Sequence, residues 1–155
     1  MSAPTHSDQD LSRREEMSIS GAAMSGAPWG AAVATGGVVA AGDFALHVIG
    51  SGLSGFHLSG LSGSVAMGAV AFFVVAAAGA LWRAKPSRAI RWARNNPWRF
   101  AVLPAVACAV IALVLSVVTG GGVLSGVLSG LWHGGVVYGL TGVAGMASRS
   151  RKPAA

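Results

Sequence analysis

The chain has 155 residues, 53% of them hydrophobic and only 10% charged, with eleven Lys and Arg against five Asp and Glu. Soluble domains carry roughly 25% charged residues, so this composition excludes an ordinary water-facing surface. A pI of about 11.2 would suit a nucleic-acid binder, but the basic residues lie beside long neutral runs, so no nucleic-acid partner is expected.

Taken in chain order, residues 1–27 are a mixture of Ser, Ala, Gly, Pro and charged side chains and read as a disordered cytoplasmic tail. Arg13-Arg14 is followed by Glu15-Glu16 instead of an apolar run, so no cleavable signal is expected there. From Met17 to Trp82 the single charge is Asp43, and from Phe100 to Ser148 there is none. A charge at the centre of a membrane helix costs about 2.5–3.5 kcal/mol, and such clearance is what hydrocarbon imposes. Four stretches, about 29–49, 64–82, 100–119 and 123–147, have the length of roughly 20 residues that a bilayer core requires. The predicted fold is an all-α integral membrane protein: a four-helix transmembrane bundle over 28–148 with a basic C-terminus at 149–155.

The connectors set its orientation. The tail carries Arg13 and Arg14, and the central segment 83–99 carries Arg83, Lys85, Arg88, Arg91, Arg94 and Arg99. Arg149, Arg151 and Lys152 follow the last span, while the connectors after spans one and three carry no Lys or Arg. The positive-inside rule then places both termini and the central linker on the cytoplasmic side of the cell's inner membrane, with Trp29, Trp82 and Trp98 at the inner interface.

Within the linker, Pro86-Ser87 and Asn95-Asn96-Pro97 look like the start and stop of a short helix. At 100° per residue, Arg88, Arg91 and Arg94 share one arc and Ala89, Ile90, Trp92 and Ala93 fill the other. That pattern predicts an amphipathic helix on the membrane surface, its three arginines contacting the headgroups of an anionic inner leaflet. In span three, Pro104 falls in the expected first turn, and Cys108 is read as a buried small hydrophobe. One cysteine also excludes an internal disulfide and a Cys-based metal cluster.

Gly122, Gly126, Gly130 and Gly134 recur every four residues, and Gly135 with Gly139 repeats the interval. On a helix they form a smooth stripe for close helix packing, within the bundle or between copies. The competing reading takes 120–130 as an outer loop and shortens span four to 131–147. Residues 53–61 and 124–131 share a Leu-Ser-Gly pattern, which raises the alternatives of a repeated hairpin and of chance within a biased composition.

Asp43 and His47 are the ionisable pair inside a span, four residues apart and so on one helix face. An intramembrane carboxylate is a functional-site candidate by default. The pair can be polar glue between helices, or a proton or cation site joined by His133 if spans one and four pack together. Two such ligands are too few for a metal site, and no metal or cofactor is expected. Ser125 and Ser129 lie near His133, but the other acidic residues are all in the tail, so no catalytic set is assembled and no enzymatic activity is expected.

The function read from these features is a non-enzymatic accessory or oligomerising membrane component, with the lipid bilayer and a second copy or another membrane protein as partners. The alternative is a small proton- or cation-coupled transporter or channel using Asp43 and His47. The Ala/Gly/Val/Arg bias also resembles small membrane proteins of high-GC bacteria, some of which act in plasmid spread, which adds a plasmid-transfer factor as a third expectation.

Overall fold

A computed structural model describes residues 13–51, 58–82 and 87–149, and these fold into six helices. They are α1 (Arg13–Met24), α2 (Trp29–Ser51), α3 (Leu58–Leu81), α4 (Arg88–Asn95), α5 (Pro97–Val118) and α6 (Gly122–Arg149). No strand occurs among the described residues. Four helices, α2, α3, α5 and α6, are long and apolar enough to cross a membrane. At 1.5 Å per residue even the 22-residue α5 reaches about 33 Å, beyond the roughly 30 Å of a hydrocarbon core. Arg83, Lys85, Arg151 and Lys152 lie outside the described residues, as do 1–12 and 52–57.

The long helices form two antiparallel hairpins, α2–α3 and α5–α6, joined through α3, which touches both α5 and α6. Among the described residues, helix α2 packs on no helix but α3. Only 11% of the α2 span is buried, against 44% for α3. The two hairpins are therefore not interchangeable, since no contact of α6 with α2 mirrors that of α3 with α5.

The short helices α1 and α4 pack on each other and on the adjoining ends of α3 and α5, with α4 also on α6. We call this the arginine end and the opposite side, where residues 119–121 turn, the turn end. The core of the arginine end is built from Ala23, Met24, Ala76, Ala80, Leu81, Ile90, Ala93 and Phe100. It holds α1 and α4 against the bundle. Within the tail expected to be disordered, the described residues differ: 13–24 are helical, and Ser20, Ala23, Met24 and Ala27 are buried. Glu15 and Glu16 in the first turn suit the positive end of the helix dipole, and Glu16 pairs with Arg99 at the start of α5. The sequence hides this helix because its packing face is Ala, Ser and one Met, too small to register as an apolar stripe.

Proline and glycine set the other boundaries. Ser87 caps α4, its hydroxyl oxygen accepting from the Ile90 N–H at 3.3 Å. Pro97 stops α4 and opens α5, so Pro104 stands inside α5 and not in its first turn. Its missing N–H withdraws the donor that the Phe100 carbonyl would otherwise use within the helix. Between α5 and α6 the chain reverses in residues 119–121, with Gly120 at φ 86° and Gly122 at φ 76°, conformations that favour glycine. Helix α6 is continuous from Gly122, so the reading of 120–130 as an outer loop is also corrected.

Candidate functional site

The glycine stripe belongs to the α5–α6 contact. A Cβ placed on Gly126, Gly130 or Gly134 would stand 3.1, 2.7 or 2.9 Å from the carbonyl oxygens of Leu113, Ala109 and Ala105. Each glycine thus sits directly over the backbone of α5, four residues further along for each turn of α6. Towards the arginine end the same face continues through Val137, Thr141, Gly142 and Gly145, all buried. Gly142 receives the Trp98 ring and Gly145 receives Pro97. Gly122 does not belong to the stripe, because its positive φ serves the turn and nothing lies within 4 Å of its Cβ position. Gly135 faces outward with the same open space.

Asp43 and His47 both lie on the side of α2 that meets α3. The Ser64 hydroxyl, 1% exposed, donates to Asp43 Oδ2 at 2.7 Å and lies 3.2 Å from the Gly60 carbonyl oxygen of its own helix. The His47 imidazole stands over Gly60, where an added Cβ would be 2.8 Å from Nε2. Two turns from Asp43 along α2 towards the arginine end, Gly36 and Gly68 cross. A Cβ on Gly36 would lie 2.8 Å from the Gly68 carbonyl oxygen, and one on Gly68 2.6 Å from that of Gly36. Backbone contact, one hydroxyl–carboxylate bond and the approach of one imidazole to Gly60 therefore fasten α2 to α3. This is the geometry of polar glue.

His133 does not join the pair. It projects from α6, which α2 does not touch, and its Nδ1 lies 2.7 Å from the Ser129 carbonyl oxygen and 3.3 Å from the Ser129 hydroxyl. A nitrogen whose hydrogen points to a carbonyl has no lone pair left to take a proton from the serine. No cluster of three or more His, Cys, Asp or Glu with metal-ligand proximity occurs among the described residues. Cys108 is fully buried between the hairpins, in one cluster with Val70, Ala105 and Val137.

The three arginines of α4 divide. Arg88 and Arg91 are exposed, while Arg94 is half-buried and donates from Nε to the Leu81 carbonyl at the end of α3, 2.8 Å away. Arg94 is thus set apart from the exposed Arg88 and Arg91 with which it was expected to share one arc.

Two features escape the sequence reading. One is the outward face of α2, where Gly30, Ala34, Gly37, Ala41 and Ala45 are all exposed at intervals of four, three, four and four. Nothing lies within 4 Å of a Cβ on Gly30 or Gly37. The spacing was present in the sequence, but Ala and Gly are so frequent here that it does not stand out. The other is a pair of adjoining clefts at the arginine end, one lined by Arg94 and Arg149 and the other by Arg99 and Arg149, which no local motif announces.

No family model, curated protein or solved structure matches this chain.

Proposed function

We propose that this is a non-enzymatic, multi-pass membrane component that self-associates through the outward face of α2, with a second copy of the chain as the occupant of that face. The observation that carries the reading is the contrast around α2. Among the described residues it is held by α3, and its outward side carries a strip of Gly30, Ala34, Gly37, Ala41 and Ala45, flanked by the exposed Val33 and Val38. Between membrane helices, small residues give close backbone approach and so dispersion contacts that lipid chains cannot supply. The chain packs its own hairpins in this way, at Gly36–Gly68 and along Gly126–Gly134. A small-residue ridge is self-complementary, so a second α2 is the partner that requires no further chemistry.

The reading places α1, α4 and the ends of the described chain on the inner side of a cell membrane. Its support is the gathering of Arg88, Arg91, Arg94, Arg99 and Arg149 at one end of the bundle, with Trp82 and Trp98 exposed at the same level. Transport through Asp43 and His47 is less well supported, because the carboxylate is engaged by Ser64 and the third member lies two helices away.

The test is the mass of the full chain in neutral detergent, measured by light scattering. Two copies per particle are expected for the parent and one for Gly37→Leu, with helix content unchanged because the site is open. A monomeric parent, or a Gly37→Leu variant that remains dimeric, would contradict the proposal.

A further inference from the structure

The half of α2 nearest the turn end is uncovered, and it carries a carboxylate. No residue from Ala41 to Gly50 is buried, whereas Ala32 and Gly36, nearer the arginine end, are. The midpoint of Trp29–Ser51 is Ala40, so Asp43 stands about 4.5 Å from the middle of the helix along its axis. Although it lies at the edge of the α3 contact, Asp43 is exposed. Its Oδ2 accepts from the Ser64 hydroxyl at 2.7 Å, and among the described residues no Lys, Arg or His forms an ion pair with it. A carboxylate offers about four acceptor sites, so one hydroxyl leaves most of them open. The same face stays open beyond it: Gly50, two turns on, has nothing within 4 Å of its Cβ position.

A carboxylate at this depth is costly unless a cation meets it, because hydrocarbon supplies neither water nor a counter-ion. A lysine or arginine cannot come from this chain. Its four long helices contain no Lys, and their two arginines, Arg99 and Arg149, lie in the first turn of α5 and the last turn of α6, both at the arginine end. A second copy has the same gap. The face proposed for self-association also points elsewhere: at 100° per residue, every member of the strip from Gly30 to Ala45 lies at least about 120° around α2 from Asp43.

We propose that α2, at Asp43, docks a transmembrane helix of a different protein, one that carries a single basic side chain at mid-bilayer depth and sets it on the carboxylate. The Ser64 hydrogen bond then holds the carboxylate in place and leaves its remaining acceptor sites to the partner. The inference rests on the membrane placement of α2 proposed above and does not depend on self-association, since the two faces are separate.

The test reconstitutes the full chain in phosphatidylcholine vesicles, whose lipid brings no competing net charge, with a synthetic helix of about 22 leucine and alanine residues bearing one central lysine. Matched peptides carry leucine or glutamine at the centre. Binding is followed by energy transfer from the chain's tryptophans to a dansyl group on the peptide. The lysine peptide is expected to bind about tenfold more tightly than the leucine peptide, as suits a charge-assisted hydrogen bond. Asp43→Asn, which keeps an acceptor for Ser64, should abolish that preference. Gly37→Leu, on the other side of α2, should leave it within about twofold. Equal binding of the lysine and leucine peptides, or a preference that survives Asp43→Asn, would overturn the proposal. The glutamine peptide needs no variant of the chain, so it decides whether or not Asp43→Asn folds: binding equal to that of the lysine peptide would show hydrogen bonding without charge and overturn the site. Alkaline carbonate extraction separates this failure from that of the placement. A chain washed out of the vesicles refutes both, whereas a retained chain without the lysine preference refutes the docking site alone.

Discussion

The two hairpins use one packing device and end in different situations. In α5–α6 three successive glycines bring the helices into backbone contact, and the shared face continues to the arginine end, so the stripe is consumed within the chain. In α2–α3 the close approach is a crossing at Gly36 and Gly68, supplemented by the Ser64–Asp43 bond and the His47–Gly60 contact. The first hairpin is closed on itself and braced by α3. The second leaves α2 on the edge with its small residues facing away. Glycine spacing alone therefore does not identify an interface between chains; what matters is which stripe remains uncovered.

The comparison is broken most severely at Gly130. A leucine there would have to displace the Ala109 carbonyl, which a bare Cβ already approaches to 2.7 Å. Overpacking of this kind costs about 1–3 kcal/mol, and a backbone obstacle puts it at the upper end. Gly130→Leu is expected to separate α5 from α6, read as a large fall in the denaturant midpoint in mixed micelles. Gly135→Leu, on the same helix but facing open space, should leave the midpoint nearly unchanged. Equal sensitivity of the two would mean that α6 does not present this face to α5.

A smaller effect sharpens the other side. Ser64→Ala removes the donor to Asp43 and leaves the carboxylate in a weakly polar setting, at a cost of about 1–2 kcal/mol. Because α2 has no second helical neighbour among the described residues, this should appear as faster amide exchange confined to α2 and the adjoining part of α3, with α5 and α6 unaffected. Exchange that rises uniformly through all four long helices would show instead that α2 is not a separately supported element.

Most of the architecture was legible in the sequence because its cause is one-dimensional. Clearing charge from 17–82 and 100–148 leaves Asp43 as the single exception, and spans of about 20 residues between arginine clusters are read by counting. The boundaries were less so. Pro97 extends α5 back to the linker, and Pro104, which looks like a first-turn residue, is interior. Helix α1 was missed because its stability comes from tertiary contacts of small residues, which leave no periodic signal. The site residues divide for a similar reason. Asp43 and His47 are on one helix face by their spacing, but whether His133 joins them depends on which helices are neighbours, and spacing carries no information about that. The pairing of Arg94 with Arg149 spans 55 positions and arises only where α3, α4 and α6 end together.

Thiol cross-linking in native membranes tests the central contrast most directly. In a Cys108→Ala background, single cysteines at Gly37 and Ala41 on α2, and at Gly135 on α6, would be oxidised with copper phenanthroline and the products separated by size. Dimer-sized bands are expected from Gly37→Cys and Ala41→Cys and not from Gly135→Cys. Cross-links from Gly135→Cys with monomers from both α2 positions would contradict the account, by placing contact between copies on the hairpin that here is closed on itself.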